Sequence, residues 1–230
     1  MPTSEANSSP SSPSSHSSAA NEMGLANIEQ LQEFIRQDWK VATEQLLLLN
    51  ENLDLQKKIA ESVLAISQRY AKGGNLYFIG NGGSAADAQH IVAELVVRLQ
   101  KNRSALRAFS LTVDTSILTA CANDFSYDFV FVRQLEAHLK PQDILISLTT
   151  SGQSPNIIKA MELAQTRGAL NILFSGKQGG AARELADFAL LAPGLNTAHI
   201  QQAHSVMYHS FCLVLEQLFI QLGLAQYEII

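Results

Sequence analysis

Side chains whose types and spacing could support chemistry lie close together in the sequence at two places. His90 and Glu94 are four residues apart in a segment that predicts a helix, so both side chains share one face, one turn apart. Near the C-terminus, Gln201, His204 and His209 share a second predicted helix. Two histidines, a carboxylate and a further oxygen donor suit zinc. A buried structural histidine and a surface His–Glu contact fit the same spacing, so both interpretations stay open at this point.

The predicted C-terminal helix sets a geometric condition on such a metal site. Gln201 and His209 are eight residues apart, which is about 12 Å along a continuous helix at a rise of about 1.5 Å per residue. They can share one metal ion only if Gln201 lies at or before the helix start and reaches along it, or if different subunits supply them. The sequence leaves both arrangements open.

Two loops rich in Gly, Ser, Thr and Asn follow apolar segments that predict strands. They are residues 80–84 (GNGGS) and residues 149–154 (TTSGQS), and Pro155 follows the second loop at a favourable first helical position. Glycine lets backbone N–H groups turn toward a ligand, and a helix N-terminus adds partial positive charge. Ordinary strand-to-helix turns also favour Gly and Ser. Because both loops lie at the carboxyl edge of one predicted sheet, a phosphate ligand is favoured. Neither loop has the dinucleotide or P-loop pattern.

The apolar residues around these loops predict an α/β fold. Three- and four-residue steps predict a helix from about residue 27 to 49, and a second helix over about 52–71 ends at Gly73-Gly74. Strands are predicted at residues 75–79, 108–111, 143–148, 170–174 and 188–192, alternating with helices, and a long helix over about 197–222 closes the chain. This alternation is typical of a parallel sheet covered on both faces. We expect a single domain over residues 24–230.

Composition narrows the class of protein. The chain has 230 residues, 47% of them hydrophobic, and a net charge of −5, which argues against binding to a nucleic-acid backbone. Cys121 and Cys212 lie in apolar runs without disulfide or metal spacing. Residues 1–23 form a Ser/Pro-rich tract that predicts a disordered tail and lacks the features of a signal peptide. No apolar run is long enough to span a bilayer. We therefore expect a cytoplasmic protein with neither nucleic-acid nor membrane partners.

Five segments resemble the SIS-domain phosphoheptose isomerases. In order, and with compatible spacing, they are GNGGSAADAQHIVAEL (80–95), CANDFSYD (121–128), TTSGQSPNIIKA (149–160), GKQGG (176–180) and IQQAHSVMYH (200–209). The resemblance covers residue 27 to the C-terminus. It implies an α/β, SIS-type three-layer sandwich with a five-stranded parallel sheet flanked by helices and an N-terminal helical extension. It also implies a homotetramer with active sites between subunits.

The same resemblance implies which residues form the site. The implied zinc ligands, for one ion per subunit, are His90, Glu94, Gln201 and His209. The implied catalytic acid–base pair is Glu94 and His209. The implied substrate contacts are Asn81, Gly82, Gly83, Ser84, Glu94, Asn123, Asp124, Thr149, Thr150, Ser151, Ser154 and Gln201. The implied reaction converts sedoheptulose 7-phosphate to D-glycero-D-manno-heptose 7-phosphate, the first step of ADP-heptose synthesis for the lipopolysaccharide core.

The sequence departs from the family pattern at four positions. Thr149 stands where Ser is usual, Gln153 where Asn is usual, His199 where Arg is common, and Ala198 where some members carry Asp. The last two leave open an isomerase or sensor of a different sugar phosphate. A second alternative is a non-catalytic SIS protein that binds the bacterial replication initiator. Relatives of that kind lack the Glu and the second His, and this chain has both, so the enzyme is favoured.

Overall fold

The computed structural model describes residues 27–176 and 178–226. The tail predicted over residues 1–23 therefore lies outside the described residues. The chain divides into two compact units that meet between Val41 and Ala42. The boundary falls inside the first helix, α1 (Ile28–Glu51). The single domain expected over residues 24–230 stays a prediction.

The first unit contributes a helical segment with exposed apolar side chains. Asn27 and Gln30 form reciprocal side-chain to backbone hydrogen bonds that cap the start of α1. Large apolar residues along this part of the helix lie in solvent, namely Ile28, Leu31, Phe34, Ile35 and Trp39. A helix of an isolated chain does not need so many exposed apolar side chains, so this stripe is a candidate contact surface.

The second unit holds the sheet and the other helices. After α1, the elements within residues 42–226 that the structure describes are α2 (Leu53–Ala71), β1 (Leu76–Gly80), α3 (Gly83–Val96), β2 (Ala108–Ser110), α4 (Thr115–Asp124), α5 (Val132–His138), β3 (Ile144–Thr149), α6 (Pro155–Thr166), β4 (Leu170–Gly176), β5 (Phe188–Ala192) and α7 (Thr197–Gln221), with 3-10 turns at Tyr127–Phe129 and Ala181–Leu185. None of the described helices is long and apolar enough to cross a bilayer.

The five strands form one sheet with the order β2-β1-β3-β4-β5, and every neighbouring pair is parallel. The predicted five-stranded parallel sheet flanked by helices is therefore confirmed. The strands that precede the two Gly-rich loops are neighbours, with Gly80 of β1 opposite Leu148 of β3. Because parallel strands end at the same edge, the two loops lie side by side.

Side chains alternate between two apolar cores, one on each face of the sheet. Phe78, Ile146 and Phe174 pack on one face with residues of α7 such as Phe211, which is fully buried. Ile79, Leu145 and Leu173 point to the opposite face and pack with residues of α5 and α6. Each fully buried side chain of this size stabilises the fold by roughly 1.5–3 kcal/mol. This alternation produces the three layers.

A buried ion pair ties the end of α3 to α7. Arg103 Nε donates to Glu216 Oε1 at 3.1 Å, and both side chains are 0% exposed. Arg103 also donates to the carbonyl oxygens of Glu94 and Leu95, near the C-terminus of α3. The carboxylate of Glu216 accepts the backbone N–H groups of residues 99, 100 and 101 as well. Both charges are therefore fully hydrogen-bonded, which is what makes their burial tolerable.

Candidate active site

A polar cavity of about 300 Å³ lies at the carboxyl edge of the sheet, between the two Gly-rich loops and α7. The residues that line it are Asn81, Gly82, Gly83, Ser84, Leu148, Thr149, Thr150, Ser151, Ser154, Thr197 and Gln201. None of these is Lys or Arg. Among the residues that the structure describes, an anion in this cavity would therefore be held by backbone N–H groups and hydroxyls.

Three helix N-termini contribute residues to this cavity. Gly82 and Gly83 begin α3, Ser154 precedes α6, and Thr197 is the first residue of α7. Gly82 has φ +54°, a backbone conformation that favours glycine at this turn. Ser154 occupies the N-cap position, yet its side chain makes no capping hydrogen bond. That hydroxyl is placed to donate to a ligand, and the helix termini favour a negative charge there.

The second Gly-rich loop is held by close backbone contact with the segment that follows β4. Gly152 has φ +66°, and a Cβ atom at this position would overlap the carbonyl oxygen of Gly179. The backbone N–H of Ala182 donates to Gly152 O. Thr149 Oγ1 accepts the N–H of Gly152 across the turn. A Cβ atom at Gly180 would in turn overlap the carbonyl oxygens of Ser151 and Gly152, so the glycines at positions 152 and 180 are required by the approach of the two loops.

Asn81 is held by its neighbours. Its side-chain amide forms a reciprocal pair with Asn156, with two hydrogen bonds of 2.9 Å. Tyr127 also donates its hydroxyl to Asn81 Oδ1 at 3.1 Å. Asn156 lies in the first turn of α6 and is 2% exposed. These contacts tie the first Gly-rich loop to the helix that follows the second, so the two loops are fixed relative to each other.

A cluster of metal-ligating side chains lies farther along α3 and α7. One ligand atom each from His90, Glu94 and His209 lies within 4.8 Å of the other two. His90 Nε2 is 3.0 Å from Glu94 Oε1, and the rings of His90 and His209 have centroids 5.1 Å apart. Two imidazole nitrogens and a carboxylate oxygen at such separations fit a divalent cation such as zinc after small rotamer adjustments.

Hydrogen bonds orient both histidines of this cluster. His209 Nδ1 lies 2.7 Å from the carbonyl oxygen of Ser205, one turn earlier on α7, so Nδ1 carries the hydrogen and Nε2 keeps its lone pair. His90 Nδ1 lies 3.2 Å from the hydroxyl of Tyr208. Each imidazole therefore has Nε2 available on the side of Glu94, which is the arrangement a metal ligand needs.

Burial changes the protonation behaviour of two groups beside the cluster. Burial raises the pKa of the Asp87 carboxyl, while His90 and the Tyr208 hydroxyl both lower it. Burial also raises the pKa of the Tyr208 phenol. Tyr208 is 2% exposed.

The cavity and the cluster lie along the same pair of helices. Gly83 packs so closely against the side-chain amide of Gln201 that a Cβ atom at residue 83 would overlap it. Seven residues later on α3, His90 meets Tyr208 and His209 of α7. The two helices therefore run in the same direction. About two helical turns, roughly 10–12 Å, separate the cavity from the cluster.

Comparison with known proteins identifies the family to which this fold belongs. The SIS domain family matches residues 41–176. A phosphoheptose isomerase of Paramagnetospirillum magneticum is 51% identical over 150 residues, covering 65% of this chain and 78% of that protein. The chain belongs to the phosphoheptose isomerase family of SIS-domain proteins. Another family member, from Campylobacter jejuni, is 40% identical over 183 residues, covering 80% of this chain and 97% of that protein.

Solved structures of the family share this fold. The phosphoheptose isomerase GmhA from Neisseria gonorrhoeae superimposes with a TM-score of 0.74 at 32% identity, covering 81% of this chain and 99% of that one. A phosphoheptose isomerase from Francisella tularensis gives a TM-score of 0.73 at 28% identity, covering 84% of this chain and 100% of that one. The SIS-type fold predicted from the resemblance is therefore confirmed.

The structure brings most of the predicted site residues into two groups. His90, Glu94 and His209 form the cluster, and nine of the predicted substrate contacts line the cavity: Asn81, Gly82, Gly83, Ser84, Thr149, Thr150, Ser151, Ser154 and Gln201. Asn123 and Asp124 do not line it. They are exposed at the end of α4 and hydrogen-bond to each other. Gln201 is the fifth residue of a continuous α7, not a residue at its start. The roles of all these residues stay predictions.

Several residues of the site were not predicted from the sequence. Thr197 lines the cavity, Asn156 and Tyr127 hold Asn81, and Tyr208 contacts His90. A signal existed for Thr197, since it opens a helix directly after the N-cap residue Asn196 at the carboxyl edge of the sheet. The other contacts join residues 46 to 118 positions apart, which no local pattern reveals.

Proposed function

We propose that this protein is a ketose–aldose isomerase that converts sedoheptulose 7-phosphate to D-glycero-D-manno-heptose 7-phosphate. The observation that carries the proposal is the pairing of an anion cavity, whose described lining is rich in Gly, Ser and Thr, with a His/Glu/His cluster on the same two helices. The gap between them, about two helical turns, suits a sugar chain with its phosphate at one end and its reacting carbons at the other. In the family, this product leads to the ADP-heptose of the lipopolysaccharide core.

The cavity supplies binding energy at the unreactive end of the substrate. We propose that Ser84, Ser151 and Ser154 hold the phosphate together with the backbone N–H groups of the two loops. Ser84 is 3% exposed and sits in the first turn of α3, where a fixed donor costs little side-chain entropy on binding. Contacts remote from the reacting carbons position those carbons at the cluster.

Glu94 and His209 are the proposed acid–base pair. The ketose carries its carbonyl at C2, and a base must remove a proton from C1 to form an enediol. Glu94, with its side chain 19% exposed, is the proposed base, and it returns the proton to C2. The hydroxyl proton must meanwhile move from the C1 oxygen to the C2 oxygen. His209 is the proposed relay for that proton; because Nδ1 is engaged by Ser205 O, the relay uses Nε2 while that atom is not bound to the metal.

Zinc, one ion per subunit, is the proposed cofactor. The donor set of His90, Glu94 and His209 supports it. A bound zinc ion would polarise the carbonyl and stabilise negative charge on the substrate oxygens. Gln201 is the proposed fourth ligand. Since α7 is continuous through residues 201 and 209, its amide must either extend along the helix or come from a second subunit.

We propose a homotetramer that resides in the cytoplasm. The exposed apolar stripe of α1, including Leu31, Ile35 and Trp39, supports contact with other copies of the chain. Active sites between subunits, as the family resemblance implies, would allow one chain to complete the ligand set of another. Cys121 and Cys212 are both free and buried, which suits a reducing compartment.

The decisive experiment measures aldose formation from sedoheptulose 7-phosphate by the purified protein. We expect product to form, the rate to vanish after chelation, and added zinc to restore it. Sugar-phosphate binding without turnover at any metal concentration would instead support a non-catalytic SIS protein. A panel of five- and six-carbon ketose phosphates, assayed under the same conditions, tests whether another sugar is preferred, as the departures at Ala198 and His199 allow.

A further inference from the structure

The Tyr208 hydroxyl lies between three polar groups beside the His/Glu/His cluster. It is 3.2 Å from His90 Nδ1 and 3.3 Å from Ser205 Oγ, which donates to it. Tyr208 is almost fully buried, and its ring packs against His209 with centroids 4.7 Å apart. A hydroxyl oxygen with two lone pairs can accept from both Ser205 and His90, and its hydrogen then remains to be donated.

A carboxylate is available to receive that hydrogen. Asp87 lies one turn before His90 on α3, close enough that His90 and the Tyr208 hydroxyl both lower the pKa of its carboxyl. Its Oδ2 atom is buried and, among the described residues, has no partner within hydrogen-bonding distance. A buried carboxylate oxygen without a donor is costly, so a hydroxyl hydrogen turned toward it is stabilising. Asp87 has no other role in the cavity or the ligand set.

We propose that Asp87 and Tyr208 form a relay that positions His90 as a metal ligand. After a small rotation of the Asp87 side chain, its carboxylate accepts from the Tyr208 hydroxyl, whose oxygen accepts from His90 Nδ1–H, so the lone pair of His90 Nε2 points into the cluster. Metal-bound histidines usually donate their second N–H directly to a carboxylate or carbonyl, and here a tyrosine is inserted between the two. Tyr208 is a positioning residue and touches no reacting atom. The inference rests on the proposed metal site.

The relay makes a specific prediction for Tyr208→Phe, which removes the hydroxyl and keeps the ring. Zinc affinity of the full-length protein should fall about 10–100-fold, measured by competition between the metal-free protein and a chromophoric chelator for zinc alone. The matched control is Tyr70→Phe. Tyr70 is also buried and its hydroxyl accepts one hydrogen bond, from Arg107 N, but it is remote from the cluster. Loss of the Tyr70 hydroxyl should lower the unfolding temperature of the metal-free protein and leave its zinc affinity unchanged.

A double-mutant cycle separates the relay from the charge of Asp87. Asp87→Asn removes the charge and keeps an acceptor oxygen, whereas Asp87→Ala removes both, so the Ala variant should bind zinc more weakly than the Asn variant. In the Asp87→Ala background, Tyr208→Phe should cost much less zinc affinity than it costs in the wild type, because a broken relay cannot be broken again. The Asp87 variants also provide the test if Tyr208→Phe does not fold.

The outcomes distinguish the relay from the metal site itself. If the wild type binds zinc, His90→Gln abolishes binding, and Tyr208→Phe stays within twofold of the wild type, the relay is refuted and the metal site stands. Equal zinc affinity of Asp87→Asn and Asp87→Ala would refute the relay as well. If the wild type itself binds no zinc, the proposed metal site and the relay both fail.

Discussion

At the scale of single residues, His204 is a buried imidazole outside the proposed chemistry. It is 0% exposed, and its ring meets Phe174 edge-on with centroids 6.2 Å apart. Burial lowers the pKa of His204 to about 4 from an ordinary value of 6.5, and the Ser175 backbone opposes that shift only in part. The interpretation of a C-terminal histidine as a core residue therefore holds for His204, while His209 lies in the ligand cluster.

This buried histidine predicts a loss of stability in mild acid. His204 takes up a proton below about pH 6.5 in the unfolded chain, but only below about pH 4 in the native state. The contribution of neutral His204 to the free energy of unfolding is therefore complete above about pH 6.5 and falls as the pH drops from about 6.5 to about 4. From neutral pH to pH 5 the free energy of unfolding should fall by about 2 kcal/mol on this account. Urea unfolding of wild type and His204→Leu checks this.

Between neutral pH and pH 5, the free energy of unfolding of His204→Leu should fall by about 2 kcal/mol less than that of the wild type, whatever the stability of the variant at neutral pH. His138→Gln is the control, since His138 is exposed, and it should unfold with the wild-type pH dependence. A His204→Leu protein whose stability falls as steeply in acid as the wild type would contradict the prediction.

Glu94 and the loop serines should fail in opposite ways. Glu94→Gln keeps the shape and a weaker oxygen ligand but loses the base, so turnover should drop at least ~100-fold while sugar-phosphate binding largely persists. Ser151→Ala combined with Ser154→Ala should weaken binding first. Kinetics with zinc in excess and calorimetric binding of the sugar phosphate separate the two effects.

A surface glutamate provides the control for Glu94. Glu162 is exposed on α6, and Glu162→Gln should behave as the wild type. Near-normal turnover of Glu94→Gln would make Glu94 a solvated partner of His90 and favour the non-catalytic alternative.

At the scale of elements, the two Gly-rich loops should respond differently to an added methyl group. In Gly83→Ala the new methyl meets only the flexible amide of Gln201, so the fold should survive while sugar-phosphate affinity falls on the order of tenfold, the cost of about one displaced hydrogen bond. In Gly152→Ala the methyl meets the backbone of Gly179 at positive φ, and stability should fall by more than about 2 kcal/mol. Thermal unfolding and binding of both variants test this contrast. Equal losses of stability would contradict it.

Local sequence pattern located the elements well and missed what depends on distant partners. All five strands and both loops lie where alternation and Gly/Ser content predicted them, with boundaries within a residue or two. Helix α3 ends at Val96. Beyond it, the backbone N–H groups of residues 99–101 donate to Glu216, more than a hundred residues away. Only the folded chain brings that carboxylate to the end of α3.

The sequence likewise predicted the parts of the candidate site that depend on local spacing and missed those that depend on distant partners. His90 and Glu94 share a face because four residues make one helical turn, which a sequence reveals. The approach of His209 to them depends on the packing of α7 along α3, and it was expected only through family resemblance. The amide pair of Asn81 and Asn156 spans 75 positions. No local sequence pattern around Asn81 or Asn156 indicates that the two side chains are partners.

At the scale of the whole molecule, the apolar stripe of α1 predicts association. Ile28, Phe34 and Trp39 are 73%, 65% and 69% exposed, and burying them between copies would remove a large apolar area from water. We expect a tetrameric mass in light scattering at micromolar concentration. Leu31→Glu combined with Ile35→Glu should shift the mass downward, while Glu29→Gln, on the same helix, should not. A monomeric wild type would refute the prediction.

The Arg103–Glu216 ion pair stabilises the fold with residues that take no part in the proposed chemistry. It joins the helices that carry His90, Glu94 and His209, and it does so through backbone oxygens and a carboxylate outside the ligand set. A lineage that lost the Glu94 carboxylate or the His209 imidazole would keep both helices in place, and with them the anion cavity. If the proposed roles of Glu94 and His209 hold, descendants of such a lineage would stay folded and keep the cavity but lose catalysis, because one substitution in this pair leaves the Arg103–Glu216 junction untouched.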